Sequence, residues 1–271
     1  MKKILLGAMI ASVALAASAT EVPSANVVGY TKIELPTNAM TICGNQFQYI
    51  GNTSIDLQDI KGVSIGEEGS DYIKIWDYKT STYLTAYYWG DSMDGVFDDV
   101  NNTPDNYDDD IALGAGWGDT YQTALHAEIV PGQGFWMRSV SGGSVQFSGE
   151  ISTSTEVTLP KNAMTLVCNT LPMAIELQEI KGISIGEEGS DYIKIWDAET
   201  SKYMTAYYWG ESMDGVFDDV NNTPDDYDDD IALGAGWGDT YQTALHADIA
   251  VGQGFWMRSV SGGVVSFPAV K

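Results

Sequence analysis

The sequence predicts an all-β fold, built as two tandem antiparallel β-sandwich domains with Asp-rich loop insertions. Residues 61–143 and 181–263 are identical at 73 of 83 positions, at a constant offset of 120. Within each copy, short segments rich in β-branched and aromatic residues alternate with Gly-rich turns, a pattern typical of sandwiches. The repeat is much longer than a solenoid unit and has the size of a self-sufficient domain.

The first residues resemble a secretory signal. Lys2 and Lys3 precede an apolar stretch over 4–15, and Ala17-Ser18-Ala19 offers a small-residue cleavage site. We therefore expect an extracellular or cell-surface protein, with the periplasm as the alternative. The expected organisation is a signal peptide over 1–19, a first sandwich over 20–150 and a second sandwich over 151–271.

The apolar stretch is too short to cross a bilayer well, and no later run reaches about 18 apolar residues, so no membrane span is expected. A short polar connector over 148–155 joins the two units. A connector of this length favours a fixed tandem over a flexible string.

Two strands and a short helix are expected at the start of the first unit. Residues 27–35 alternate and end at Pro36, which marks a strand boundary. Residues 40–43 form a second apolar run. A short helix is predicted over 54–60, with Ser54 as its cap.

The middle and end of the unit predict further strands. Residues 71–77 and 82–89 flank a polar turn and predict a hairpin. Alternating apolar positions over 121–129 predict another strand. Residues 134–140 and 144–147, on either side of a Ser-Gly-Gly turn, predict a second hairpin.

The charge balance excludes some partners. Thirteen basic and 38 acidic residues give a formal net charge of −25. This charge opposes binding to nucleic acid and to anionic membranes. Residues 80–137 contain ten acidic residues and no Lys or Arg, and residues 203–257 contain eleven acidic residues and again no Lys or Arg. Local salt bridges with Lys or Arg therefore cannot neutralise this acidic segment.

Calcium suits such a segment, because it takes six to eight hard oxygen ligands in flexible geometry. Residues 91–95 do not fit the spacing of an EF-hand loop. The alternative is a loop that stays extended and solvated. The expected calcium ligands are Asp94, Asp98, Asp99, Asp105, Asp108 and Asp110, with Asp214, Asp218, Asp219, Asp225, Asp228 and Asp230 as their copies.

The cysteines and histidines offer little other chemistry. Cys43 aligns with Val167, and Cys168 aligns with Gly44, so the two cysteines are not equivalent. We expect two separate buried thiols, with an interdomain disulfide as the alternative. His126 and His246 are expected to be solvated.

Aromatic residues flank the acidic segment. Tyr87, Tyr88, Trp89 and Trp117 either fill the core and the loop base or stack on sugars. Tyr87 and Trp89 share one strand face and Tyr88 takes the other, so these three cannot form one exposed platform.

Two motifs occur in both repeats. An Ile-x-x-Trp-Asp motif occurs at Ile73, Trp76 and Asp77, and a Gly-x-Gly-Phe-Trp motif spans 132–136; their copies are Ile193, Trp196, Asp197, Gly252, Gly254, Phe255 and Trp256. These motifs resemble those of secreted bacterial tandem β-sandwich repeat proteins of the surface or matrix type. The resemblance implies a non-catalytic module of exported surface or matrix proteins. The Asp-rich insertion departs from the plain pattern.

The sequence thus predicts an exported structural or adhesion protein with calcium-stabilised acidic loops and no enzymatic activity. Its expected partners are further copies of itself or other surface proteins. A calcium-dependent carbohydrate-binding module that recognises a polysaccharide is the alternative. A hydrolase is a weaker alternative, since paired carboxylates among 38 acidic residues carry little information.

Overall fold

The structure, a computed structural model, describes residues 28–48, 54–60, 70–99, 110–151, 156–181, 190–219 and 230–268. The predicted signal peptide lies outside these ranges, as do four of the twelve expected calcium ligands. The described residues form antiparallel β-sheets, which confirms the predicted all-β class. In these ranges the helical segments are short 3-10 turns, and none is long and apolar enough to cross a membrane.

Each copy of the sequence, here called repeat 1 and repeat 2, contributes a similar series of strands. Repeat 1 has β1 (Val28–Leu35), β2 (Ala39–Gly44), β3 (Phe47–Gln48), β4 (Ile55–Asp56), β5 (Tyr72–Asp77), β6 (Thr82–Trp89), β7 (Val96–Asp98), β8 (Ile111–Gly114), β9 (Gly116–Gly118), β10 (Glu128–Ile129), β11 (Gly134–Ser139) and β12 (Gly143–Ile151). Repeat 2 has β13 (Glu156–Leu159), β14 (Ala163–Cys168), β15 (Ile175–Glu176), β16 (Tyr192–Asp197), β17 (Lys202–Trp209), β18 (Val216–Asp218), β19 (Ile231–Gly234), β20 (Gly236–Gly238), β21 (Asp248–Ile249), β22 (Gly254–Ser259) and β23 (Gly263–Ser266).

Two layers enclose the core of each repeat. In repeat 1 a five-stranded sheet of order β2-β11-β5-β6-β9 packs on a three-stranded sheet of order β1-β12-β3. The β5–β6 hairpin has the predicted position, with Tyr72 opposite Tyr87. In repeat 2 the order β14-β22-β16-β17-β20 repeats, and β13 pairs with β23. The core lies between the layers and includes Phe135 and Trp117, which are fully buried.

The second predicted hairpin is wrong in its pairing, although both of its strands exist. Strand β11 pairs with β2 on one edge and with β5 on the other, so neither edge is left for β12. Strand β12 instead crosses to the other layer and pairs with β1. The buried Asp71 carboxylate holds the crossing, because it accepts hydrogen bonds from the Val140 amide (2.6 Å) and the Ser139 hydroxyl (3.1 Å).

Three other local predictions need correction. The helix expected over 54–60 is a strand followed by a 3-10 turn over Leu57–Asp59, and Asp56 rather than Ser54 caps it. Residues 148–151 belong to β12 rather than to the connector. The strand expected over 121–129 is reduced to β10, because the Asp119 carboxylate accepts the amides of Tyr121 and Thr123 and folds a turn there.

The two five-stranded sheets meet face to face. Ile42, Trp136, Leu166 and Trp256 form a buried apolar cluster between the repeats. Strand β11 is therefore buried on both faces, since Phe135 and Met137 enter the core of repeat 1 while Trp136 enters this cluster. Burial on both faces accounts for its continuous apolar run.

Contacts across this interface come in equivalent pairs. The Trp76 indole N–H donates to the carbonyl of Met164, and the Trp196 indole N–H donates to the carbonyl of Met40, both at 2.8 Å. The ring of Trp76 meets Trp256 at 5.5 Å, and the ring of Trp136 meets Trp196 at 5.4 Å. Such reciprocity is the property of an isologous interface, here formed within one chain around a pseudo-twofold axis.

Gly44 and Cys168 occupy equivalent positions and contact each other near this axis. A Cβ atom on Gly44 would lie 1.9 Å from the Cys168 Cβ. Cys43 and Cys168 are both free and buried, as predicted for two separate thiols. Burial raises the pKa of the Cys43 thiol to about 12 and also raises that of Cys168, so both stay protonated.

Candidate functional site: the acidic ribbon

The ends of each acidic segment are held together by a two-stranded ribbon. In repeat 1, β7 and β8 pair antiparallel, with Phe97 opposite Ala112 and Asp98 opposite Ile111. Strands β18 and β19 form the same ribbon in repeat 2. We call residues 96–99 with 110–114, and residues 216–219 with 230–234, the acidic ribbons. The acidic segment is therefore anchored at both ends rather than hanging freely from the sheet.

A tight turn and a buried valine fix the ribbon to the body of the repeat. Val96 is fully buried beside β9. Gly95 has a φ of +72°, and a Cβ atom there would lie 2.1 Å from the Gly114 carbonyl oxygen, so only glycine fits. The Gln122 amide group donates to the Gly95 carbonyl at 3.0 Å. On its other edge, Phe97 exchanges backbone hydrogen bonds with residues 122–124.

The structure brings some of the expected calcium ligands together and separates another. Asp98 ends β7, and continuation of the register places Asp99 opposite Asp110 at the open end of the ribbon. Asp94 lies at the other end of β7, where it ends a 3-10 turn with a φ of +67°. Their copies lie in the same places: Asp218, Asp219 and Asp230 at the open end, and Asp214 at the turn. Asp105, Asp108, Asp225 and Asp228 lie outside the described residues.

The described residues alone do not complete a metal site. Within these ranges, no group of three or more His, Cys, Asp or Glu side chains is arranged to hold a metal ion. The chemistry of the donors at the open end is nevertheless that of a calcium site, because Asp98, Asp99 and Asp110 offer hard carboxylate oxygens. Two unit charges about 6 Å apart repel by roughly 0.7 kcal/mol even in water, so a cation between the two strand ends would stabilise the ribbon.

The sequence did not reveal that a histidine lies beside each ribbon. His126 is half-exposed, as expected, but its ring lies between two carboxylates: Nδ1 is 3.4 Å from Asp56 and Nε2 is 4.0 Å from Asp98. His246 repeats this arrangement, with Glu176 at 3.1 Å and Asp218 at 3.6 Å. The two carboxylates face opposite ring nitrogens, so they do not converge on one metal position. A protonated ring would instead give each ribbon a nearby positive charge.

The aromatic residues beside the ribbon divide between the core and the surface. Trp117 is fully buried and donates its indole N–H to the Ile60 carbonyl, and Tyr88 packs on it edge to face at 5.1 Å. These two rings are core residues and cannot stack on a sugar. Tyr87 and Trp89 stay partly exposed on the opposite face of β6.

Asp91 and Asp119 have structural roles in the acidic segment. The Asp91 carboxylate accepts the amide of Ala115 at 2.8 Å, which fixes the chain after β8. Asp119 holds the turn that follows β9. Both were left out of the expected ligand set, and their hydrogen bonds account for their presence without a metal.

Comparison of the chain with protein families, curated proteins and solved structures gave no match. The function must therefore be argued from the chain itself.

Proposed function

We propose that this protein is an exported, non-catalytic structural or adhesion component of a cell surface or matrix, whose acidic ribbons are stabilised by calcium. One observation carries the calcium part of the proposal. The β7–β8 pairing holds the carboxylate-bearing ends of the acidic segment side by side, in a region without Lys or Arg. A divalent cation is the simplest source of the missing positive charge.

The architecture supports a structural role. Each five-stranded sheet packs on its own core with one face and, over part of the other face, on the other repeat. The four indoles at the repeat interface add hydrogen bonds and edge-to-face ring contacts to the apolar packing. A chain joined in this way is a rigid body that presents two equivalent acidic ribbons for contacts with further copies or other surface proteins.

Calcium-dependent carbohydrate binding is the second candidate. Its support is a set of partly exposed rings, Tyr72, Tyr83 and Tyr87, on the outer face of β5 and β6. Ring faces of this kind can stack on sugars. The buried Trp117 and Tyr88 no longer contribute to this candidate.

The proposal is tested by measuring the melting temperature and the mass in solution of the secreted chain, in calcium, in magnesium and in chelator. We expect calcium to stabilise the fold by about 2.7 kcal/mol per site when its concentration is a hundred times the Kd. We also expect the mass to increase in calcium. If millimolar calcium changes neither quantity, the proposal is wrong.

Matched variants make the measurement specific to the ribbon. Asp99→Asn with Asp219→Asn removes one charge from each ribbon at nearly constant shape. This variant should melt higher than the wild type in chelator, because repulsion is relieved, and should gain less from calcium. Glu128→Gln with Asp248→Asn, in β10 and β21, removes the same charge elsewhere and should keep the full gain from calcium.

A further inference from the structure

The outer face of each five-stranded sheet carries no acidic residue, although the chain has a net charge of −25. The register assigns alternate residues to this face, so that Lys74 lies beside Trp136 and Thr85, and Arg138 lies beside Tyr72 and Met40. The outward positions of the five strands of repeat 1 are Met40, Ile42, Gly44, Tyr72, Lys74, Trp76, Tyr83, Thr85, Tyr87, Trp89, Gly116, Gly118, Gly134, Trp136 and Arg138.

Part of this face is covered by the other repeat, and part remains accessible. Ile42 and Trp136 are buried in the repeat interface. The partly exposed residues include a basic and aromatic group, here called the tyrosine–lysine face. It consists of Tyr72, Lys74, Tyr83, Thr85, Tyr87 and Arg138, with Tyr192, Lys194, Tyr203, Thr205, Tyr207 and Arg258 as its copy.

Lys74 is the centre of the face. Its ammonium group lies 5.3 Å from the ring centre of Tyr72 and 5.9 Å from that of Tyr83. Among the described residues, no carboxylate oxygen lies within 4.0 Å of it. Lys194 repeats the arrangement over Tyr192 and Tyr203. Each repeat therefore presents a cation held between tyrosine rings, without an acidic partner among the described residues.

The acidic ribbon has the complementary chemistry. Besides its carboxylates it exposes two large apolar side chains, since Ile111 is 54% exposed and Leu113 is 45% exposed. Ile231 and Leu233 are equally exposed in repeat 2. Ile111 is the cross-strand partner of Asp98, so an apolar side chain and a carboxylate project from the same face of the ribbon. In the described part of the chain β8 pairs only with β7, which leaves its other edge open.

We propose that the acidic ribbon of one copy docks on the tyrosine–lysine face of a second copy. This inference rests on the proposed function and identifies the surfaces through which copies would meet. The ribbon offers carboxylates and aliphatic side chains, and the face offers ammonium and guanidinium groups with aromatic rings. Each chain has two ribbons and two faces, so their numbers match.

The geometry of such docking leads to extended assemblies. The ribbon and the face are different surfaces of the molecule, so the contact is heterologous and builds rings or filaments rather than a closed dimer. The ribbons hold more negative charge than two basic residues can neutralise. Calcium at the open end of the ribbon would offset this excess, and the assembly should also weaken as salt increases.

The test is a charge exchange between two variants of the full chain, followed by light scattering in calcium. The face variant is Lys74→Glu with Lys194→Glu, and the ribbon variant is Ile111→Lys with Ile231→Lys, which changes exposed ribbon positions and keeps the expected calcium ligands. Each should self-associate at least tenfold more weakly than the wild type, because like charges then meet at every contact. Mixed in equal amounts they should assemble again, because each contact then joins opposite charges.

Controls separate the possible failures. Lys79→Glu with Lys161→Glu changes the net charge as much as the face variant does, and Glu already occupies the position equivalent to Lys79, at Glu199. This control should assemble as the wild type does, and melting curves confirm that every variant is folded. A wild-type chain that stays monomeric in calcium would overturn both this inference and self-association as a function. Assembly of the wild type and the face variant alike would overturn only the docking inference, as would a mixture that fails to assemble.

A glycan would give a different result. If the face variant loses retention on immobilised polygalacturonate while its assembly is unchanged, the face serves an acidic polysaccharide and the docking inference is wrong.

Discussion

The two repeats are nearly the same sequence, yet they differ where they meet. Gly44 of repeat 1 contacts its own counterpart, Cys168, and the side chain of Cys168 fills the space that a Cβ atom at position 44 would need. Next to this pair, Gln46 donates to the carbonyls of Asn169 and Leu171, whereas its counterpart is Thr170. A residue near a twofold axis contacts its own copy in the other repeat, so two identical side chains there must either fit together or clash. Joining the repeats in one chain allows two different residues at this place.

The remaining differences are also not spread evenly. Of the ten differences between 61–143 and 181–263, five occur at positions that line a cleft of about 580 Å³ between the repeats: Tyr78, Lys79, Leu84, Val130 and Pro131. The equivalent cleft around Trp196 has Ala198 and Glu199 where the first has Tyr78 and Lys79. The acidic ribbons are therefore identical in the two repeats, whereas half of the differences lie around this cleft.

The largest expected effect on stability concerns Trp136 and Trp256, which occupy equivalent positions in the interface between the repeats. Trp136→Ala and Trp256→Ala should each destabilise the fold by about 3–5 kcal/mol, because each empties a buried indole site in the shared cluster. Equilibrium unfolding in denaturant measures both. The two values should agree within about 0.5 kcal/mol if the contacts are truly equivalent. Thr85→Ala, half-exposed on the same sheet, should cost less than about 0.5 kcal/mol. A large cost in only one repeat would contradict the isologous description.

Gly44 differs from its counterpart Cys168, and a substitution that makes the two positions alike should destabilise the fold. Gly44→Cys forces two cysteines into one place and should cost about 1–3 kcal/mol or more. A disulfide cannot relieve the clash without backbone movement, because the two Cβ atoms of a disulfide lie about 3.8 Å apart and these would lie 1.9 Å apart. The exchange Gly44→Cys with Cys168→Gly should recover most of the loss. If the single variant is as stable as the wild type, the contact at the axis is not as tight as described.

A pH titration compares the repeats at the crossing between layers. Burial raises the pKa of Asp71 and of Asp191. Hydrogen bonds lower each pKa in part, and they come from Ser139 and Val140 to Asp71 and from Ser259 and Val260 to Asp191. A raised pKa in the folded state means that the contribution to stability is complete below the ordinary Asp pKa of about 3.9 and is lost as the pH rises through the folded value.

Asp71→Asn and Asp191→Asn should therefore flatten the pH dependence of the free energy of unfolding above pH 4, by equal amounts in the two repeats. Chemical denaturation at several pH values measures the slope, and Thr85→Ala, which removes no titratable group, should leave it unchanged. A variant whose slope equals that of the wild type would show that the carboxyl is not perturbed by burial.

The smallest effect is a gain in stability. The hydroxyl oxygens of Thr41 and Thr165, at equivalent positions, are buried and have no hydrogen-bond partner among the described residues. Thr→Val at either position keeps the shape and removes an unsatisfied polar group, so each should stabilise the fold by about 1 kcal/mol. Thr85→Val on the exposed face should not. A loss of stability at position 41 or 165 would indicate a partner for that hydroxyl.

Local pattern was enough to predict the class and several strands. Alternating apolar positions and β-branched residues predicted β1, β2 and the β5–β6 hairpin. Such a pattern follows from the pleated backbone of the strand itself and needs no distant part of the chain. The pairing of β11 could not be predicted, because the edges of a strand are filled by segments distant in the chain. The Asp71 carboxylate that turns the chain after β11 lies 68 residues before Ser139, and nothing in its local sequence indicates that contact.

The candidate site was predicted in part for the same reason. The composition of the acidic segment was visible, and so was its lack of Lys and Arg. The ribbon at the base of the acidic segment depends on Val96 packing beside the glycines of β9. The pattern of charged residues gives no information about this contact. The tyrosine–lysine face was missed because its members come from β5, β6 and β11. Only the register of these strands reveals that no acidic residue shares their side of the sheet.

The isologous contact within the chain has a consequence for dilution. Two separate subunits joined by the same interface would dissociate whenever their concentration fell below the Kd of that interface. Tethered by a short connector, they meet at an effective concentration of the order of millimolar however few molecules are present. A single molecule released into a large volume therefore keeps its paired ribbons in a fixed relation, and its bivalency does not depend on how many others surround it.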